Sequence, residues 1–367
     1  VGHMYGSLPG FRAKHKSKVC DTYITDAMVA RGYEVKVGRP VMSGWEPWRH
    51  AAVDIVHQPF KVRQNLLDAC VEHFAHDILQ ELDISTLASE LIILNNDITL
   101  NGQPGVQFID KMNRKSSGGF PWHKSKSKGL LTTPIEYEEW PSFVEFTPEV
   151  MERVENIIEK YKRGERHMPV YTAHLKDEAL KLSKILEKKT RVFSGAPCDW
   201  VFVVRKYLLS FVRLVQKNKF TFESGPGTQC HSVEWDQFYH YLTAFGGDRI
   251  IAGDYSKFDK RMSAQWILGA FKVIDFILQA AGWSDQNRRI VQCIAFDTAF
   301  PLTDFNGDLF EFWGSNPSGH PLTVIVNGLV NSLLLRYAWA MAGNDLADFK
   351  KFVHLMTYGD DNIMGVS

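Results

Sequence analysis

The sequence predicts an α+β fold in which short apolar strands end in aspartates and long apolar helices lie alongside them. Three patterns carry this prediction. An apolar run over 249–253 stops at Asp254. Two largely apolar stretches, over 352–358 and 361–366, flank Gly359-Asp360 and so predict a hairpin. Two long helical patterns, over 264–281 and 322–342, end at Gly282 and Gly343. The composition agrees with a globular protein: 367 residues, 45% hydrophobic, with 42 Lys+Arg against 42 Asp+Glu. That excludes a disordered chain, a collagen-like repeat and a small disulfide-stapled scaffold, and at roughly 150 residues per domain it suggests two or three subdomains. Cys20, Cys70, Cys198, Cys230 and Cys293 show no CxxC or Cys/His spacing, so neither a zinc site nor a disulfide framework is expected.

In chain order, residues 1–18 lack the apolar core of a signal peptide. The Trp-rich segment 44–48 reads as a loop packed by aromatics, and 66–82 as an amphipathic helix. Gly, Pro and Ser mark 116–129 as an exposed basic loop. Thr147 caps a helix with Pro148 in its first turn, ending before Gly164. A helix over 203–218 precedes the loop 223–232. Ser263 caps the helix over 264–281. Strands around Asn306-Gly307 account for 300–312. The apolar stretch 322–342 is interrupted by Asn327, Asn331, Ser332 and Arg336, so no transmembrane segment is expected.

The zero net charge conceals a segregation: residues 161–220 hold 14 Lys+Arg against 5 Asp+Glu, leaving 28 against 37 elsewhere. A basic channel beside an acidic metal site would give this pattern, and so would a solvated helical face.

Four clusters could carry chemistry. Asp254 and Asp259, and Asp360 and Asp361, follow apolar strands, where a rigid sheet holds carboxylates facing solvent as a hard divalent cation requires. Turn geometry alone also selects aspartate at such places. In Ser318-Gly319-x3-Thr323-x3-Asn327 a glycine loop opens a helix on which Thr323, Asn327 and Asn331 form one polar stripe. The stripe either bonds neighbouring backbone or binds a sugar hydroxyl, directly or by positioning a carboxylate that does so. Finally, Lys176, Lys184 and Arg191 could project cations toward a triphosphate, or simply be solvated.

Together, Lys-Asp-Glu…Lys-Thr-Arg (176–191), Asp-x4-Asp (254–259), Ser-Gly-x3-Thr-x3-Asn (318–327) and Tyr-Gly-Asp-Asp (358–361) resemble motifs F, A, B and C of viral RNA-dependent RNA polymerases. Ser116-Ser117-Gly118-Gly119 followed by Phe120-Pro121 is similar to their motif G, and NPSGHPLTVIVNGLVNSLLLRY most resembles picorna-like viruses of the dicistrovirus kind. The resemblance spans about 116–364. It implies a right-hand polymerase fold: fingers over 1–207 with an insertion at 296–315, palm over 208–295 and 316–367, and the thumb missing.

Carried over by motif, Asp254 and Asp360 ligate two Mg²⁺ ions, with Mn²⁺ as the alternative and Asp361 as a secondary acid. Asp259, supported by Ser318, Thr323 and Asn327, reads the ribose 2′-hydroxyl. Lys176, Lys184 and Arg191 hold the triphosphate, while Ser116, Ser117, Gly118, Gly119, Phe120 and Pro121 guide the template. The implied partners are an RNA template and primer, ribonucleoside triphosphates, a protein primer and other viral replication proteins. The implied place is the host cytoplasm, at membrane-associated replication complexes.

Two departures stand out. Leu180 occupies a position that is commonly basic in the family, with Lys181 one place later. The chain also stops three residues after Met364, so motif D with its general-acid lysine, motif E and the thumb are expected to be missing from a polyprotein fragment. Reverse transcriptase is the nearest alternative, but those enzymes usually carry a bulky aromatic where Asp259 stands. A non-catalytic RNA-binding fragment is the alternative from another class.

Overall fold

The computed structural model describes residues 2–8, 16–57, 61–134 and 143–367. At its centre is the helix Thr323–Met341, which buries Ile325, Val326, Leu329, Val330 and Leu333 because its apolar residues run all round the cylinder. Packed against it are the helices Gln64–Glu81 and Ala264–Ala280 and the strand Val353–Tyr358. This helix is long and apolar enough to cross a membrane by composition, yet it sits in the protein core. Its one cation, Arg336, is buried and paired with Glu223 at 2.8 Å and Asp77 at 3.2 Å. The guanidinium also lies between the rings of Phe74 and Phe349, at 4.1 and 4.4 Å.

Beside the central helix lies a three-stranded antiparallel sheet in the order Val353–Tyr358, Asp361–Val366, Ile250–Gly253. The predicted hairpin forms, with Gly359 at φ 66° in its turn, a conformation that favours glycine. A five-stranded sheet runs in the order Gly2–Ser7, Asp308–Phe312, Leu302–Phe305, Val170–Leu175, Val192–Gly195. Asn306 and Gly307, at φ 59° and 93°, make the tight turn that the Asn-Gly pair predicts. The helices Pro148–Lys162, Cys198–Lys217 and Asp285–Ala299 join the same main core.

The structure corrects several boundaries. Segment 44–48 is not a loop: it opens the helix Glu46–Val56, with Pro47 in the first turn, where its missing N–H costs nothing. Trp48 is buried, 5.1 Å from Phe305 between ring centroids. The helix expected over 203–218 begins earlier, at Cys198. Segment 116–129 is irregular as expected, but Gly118, Gly119 and Lys126 are buried rather than exposed.

Candidate functional site

The strand register brings the two acidic clusters together. Gly253 pairs with Asn362, so Asp254, the next residue, leaves its strand beside the hairpin tip that carries Asp360 and Asp361. Asn331, one helical turn beyond Asn327, holds that tip. Its Nδ2 lies 3.2, 3.1 and 3.3 Å from the carbonyls of Gly359, Asp360 and Asp361, and its Oδ1 accepts from Asn362 Nδ2 at 3.3 Å. Gly328 permits the close approach, since a Cβ there would stand 2.9 Å from Thr357 Oγ1. Among the described residues, the carboxylates of Asp254, Asp360 and Asp361 have no ion pair and no side-chain hydrogen bond.

Asp259 sits on the short helix Phe258–Arg261 and is half-buried. Asn327 Nδ2 donates to its Oδ1 at 2.6 Å, and Asn316 Nδ2 donates to Asn327 Oδ1 at 2.7 Å, which fixes the orientation of the Asn327 amide. Burial raises the Asp259 carboxyl above its ordinary range; the Asn327 hydrogen bond opposes this, Asp360 adds to it, and Arg191 and Lys260 oppose it. Members of motifs A, B, C and F therefore share one electrostatic neighbourhood.

The other two motif B residues make their bonds to backbone. Ser318 Oγ accepts from the Ser194 backbone N–H at 3.0 Å. The Thr323 hydroxyl lies 2.7 Å from His320 O and 2.9 Å from Pro317 O. Both hydroxyls bond to backbone and shape the loop, that of Ser318 as an acceptor, and of the three side chains it is Asn327 that bonds to Asp259. Gly319 is required by contact: a Cβ there would meet Ser194 O at 2.3 Å, so only glycine lets this loop dock on Val192–Gly195. A small cavity where they meet is lined by Asp259, Lys260, Phe193, Ser194, Asn316 and Ser318.

Of the basic residues, Lys176 and Arg191 are brought together and Lys184 is not. Glu178, to which the motif spacing gives no separate role, pairs with Lys176 at 2.9 Å and Arg191 at 3.3 Å, and Lys176 N–H donates to Arg191 O at 2.8 Å. Lys184 stands exposed on the short helix Leu182–Leu186. Leu180 is buried and pairs with Gly38, which explains why an apolar residue occupies that place.

The loop with Ser116 and Ser117 borders a cleft of about 1160 Å³ to which Lys16, Lys18, Lys126 and Arg205 contribute. Lys126 is buried and donates to Ser116 Oγ at 2.6 Å and Ser117 O at 3.0 Å. A Cβ on Gly118 would meet Leu130 Cδ1 at 2.4 Å, and one on Gly119 would meet Pro197 Cα at 2.8 Å, so the glycines seat the loop on the start of Cys198–Lys217. Phe120 and Pro121 continue that loop through a cis peptide bond.

The pattern of the viral RNA-dependent RNA polymerase family matches residues 62–367. The chain belongs to that family. This chain is 29% identical over 287 residues to the replicase polyprotein of acute bee paralysis virus, covering 75% of the chain and 15% of the polyprotein. It is likewise 29% identical over 281 residues to that of cricket paralysis virus, again 15% of the polyprotein, and 27% identical over 287 residues to the RNA1 polyprotein of cowpea mosaic virus. It thus spans about a sixth of the length of these curated relatives. Among solved structures, the Sicinivirus 3Dpol RNA dependent RNA polymerase superposes with a TM-score of 0.74 at 20% identity, covering 98% of the chain and 72% of that structure. The fold is therefore α+β, of the right-hand polymerase type. The family suggests divalent-metal dependence in general. The donor set fits a hard cation: three carboxylates at the mouth of a sheet, none neutralised by a described lysine, arginine or histidine. No group of three or more His, Cys, Asp or Glu side chains converges as a ready-made cage among the described residues.

Proposed function

We propose that the chain carries the catalytic centre of an RNA-dependent RNA polymerase that replicates a positive-strand viral genome. In this reading it adds ribonucleotides from their triphosphates to an RNA 3′-hydroxyl on an RNA template. The observation that carries it is the half-buried Asp259 carboxylate, locked to Asn327 and in electrostatic contact with Asp360. A carboxylate there accepts a hydrogen bond from a ribose 2′-hydroxyl, which deoxynucleotides cannot supply. The same feature favours this reading over reverse transcriptase, and the replicase polyprotein relatives support it.

Asp254 and Asp360 would hold two Mg²⁺ ions, or Mn²⁺, with Asp361 adjacent. Such ions, when bound, make a 3′-hydroxyl more nucleophilic and offset the charge of leaving pyrophosphate. Asn331 keeps the hairpin tip in place, so Asp360 is held before substrate arrives. Lys176 and Arg191 exchange Glu178 for triphosphate oxygens, with Lys184 as an outer cation. The cleft beside Ser116 and Ser117 takes the template backbone through its lysines and arginine, which makes template affinity fall with salt. We assign 1–207 and 296–315 to fingers and the remainder to palm; the pairing of Leu302–Phe305 with Val170–Leu175 supports placing the insertion with the fingers.

The test is primer extension on an RNA template by the enzyme containing this chain, with Mg²⁺ present or withheld and with ribo- or deoxynucleotides. The expected outcome is metal-dependent extension with ribonucleotides. A preference for deoxynucleotides, or extension without a divalent cation, overturns the reading.

A further inference from the structure

The helix Glu46–Val56 precedes the segment matched by the family pattern, and no motif in the sequence gives it a chemical role. It is firmly seated. Trp48 and Ala51 are buried in a cluster with Ala173, Leu175, Phe305 and Phe312, and His50 Nε2 lies 3.0 Å from Glu187 O. From that anchored helix the Asp54 side chain, 13% exposed, reaches the turn that joins Asp254 to Asp259. It accepts a hydrogen bond from Lys257 Nζ and stands 4.0 Å from Lys260 Nζ.

That turn needs holding for two reasons. Lys257 has φ 60° and ψ 42°, a left-handed conformation that is costly for a residue with a Cβ, and it makes no side-chain cap for the helix Phe258–Arg261. Lys260 is the immediate neighbour of Asp259 and partly buried, so it requires a carboxylate. Two are within electrostatic reach, Asp54 and Asp259, and the attraction to Asp54 is the larger. With Asp54 present, the Asp259 oxygen stays with Asn327 and free for a sugar hydroxyl. Without it, the Lys260 ammonium one residue away loses the carboxylate that attracts it more strongly and joins Arg191 in attracting Asp259.

We propose that Asp54 is a positioning residue for ribonucleotide selection: by holding Lys257 and Lys260 it fixes the turn and keeps Asp259 engaged with Asn327. This rests on the reading of Asp259 given above. It also gives the region ahead of the family match a part in choosing the nucleotide.

The test compares Asp54→Asn, Asp54→Glu and Lys257→Asn in the enzyme containing this chain. Asparagine tolerates the left-handed conformation, so Lys257→Asn cuts the ion pair without straining the turn. Hydrogen exchange of the segment 254–262 is measured together with the ratio of kcat/KM for a ribonucleotide to that for its deoxynucleotide. Asp54→Asn and Lys257→Asn are each expected to speed exchange and lower the ratio by about tenfold. The double variant should lose no more than either single one, and Asp54→Glu should retain most of the ratio. Unchanged exchange in both single variants overturns the inference whether or not the chain extends primers, and so does faster exchange with an unchanged ratio. Failure of the wild type to extend an RNA primer would instead strike the functional reading, leaving the exchange result to decide the link between Asp54 and the turn.

Discussion

The Asn327 amide and the Asp259 carboxylate meet at 2.6 Å across 68 residues of sequence, and Asn316 holds the amide from behind at 2.7 Å. A hydrogen bond to a charged group contributes about 1.5–3 kcal/mol. Asn327→Ala is therefore expected to lower discrimination against deoxynucleotides by about tenfold to a hundredfold. It also removes a contact that lowers the Asp259 carboxyl, so the acidic limb of discrimination should move to higher pH. Steady-state kinetics with paired ribo- and deoxynucleotides from mildly acidic to mildly alkaline pH checks both; an unchanged ratio would dissociate Asn327 from sugar recognition.

Under the proposed reading, changing Asp360 should separate catalysis from binding. It stands at the hairpin tip, outside the basic cleft beside Ser116 and Ser117. Asp360→Asn keeps the shape but removes a charge, and losing a metal-binding carboxylate should cost several kcal/mol, with each ~1.4 kcal/mol a tenfold fall in rate. Extension is expected to vanish while RNA affinity, measured by fluorescence anisotropy over a salt series, stays within about twofold. Retained extension would contradict the two-metal assignment.

How much of the molecule is legible in the sequence follows from how local each signal is. Aspartates after apolar runs, the Asn-Gly turn and the long helices are written within a few residues, and the structure has them. The strand Gly2–Ser7 leaves no such trace, because its partner, Asp308–Phe312, lies about 300 residues on. Helical spacing places Asn331 in a polar stripe but gives no hint that the carbonyls of 359–361 are its partners. Thr323 bonds to carbonyls of its own loop, as short hydroxyl side chains readily do, whereas Ser318 accepts from the Ser194 N–H 124 residues away, a partner that no local pattern shows. Glu178 reads as one letter of a motif, whereas its position between Lys176 and Arg191 makes it their counter-ion.

Gly319 tests the docking of the loop that carries Ser318. A methyl group on its Cα would stand 2.3 Å from Ser194 O, so Gly319→Ala must push the loop off the strand Val192–Gly195. Overpacking of this kind costs about 1–3 kcal/mol. Ser318→Ala removes only one hydrogen bond, worth about 0.5–1.5 kcal/mol. Thermal denaturation should rank Gly319→Ala below Ser318→Ala, and nucleotide KM should rise more for the glycine variant. Equal melting temperatures would mean the loop docks loosely.

His320 gives this protein an acid sensitivity with a definite sign. The ring is buried: Nδ1 accepts from Leu322 N–H at 2.9 Å, so Nε2 carries the proton and lies 3.0 Å from Thr298 Oγ1, which itself donates to Ile294 O at 2.7 Å. Protonating Nδ1 would set two donors against each other, and burial pushes the imidazole down to about 3. Burial likewise lowers His167 to about 4. Both are neutral in the fold but take up a proton in the unfolded chain below about 6.5, so the unfolded state binds more protons and stability falls as pH drops. Each group contributes a slope of up to about 1.4 kcal/mol per pH unit, both between about 6.5 and 4 and His320 alone from about 4 to 3. His320→Asn keeps an acceptor for Leu322 N–H but cannot titrate. Urea unfolding at intervals from about pH 7 to 4 should show the wild-type and variant curves converging as pH falls, because all other groups cancel in the difference. Parallel curves would mean that the His320 ring is already solvated in the fold.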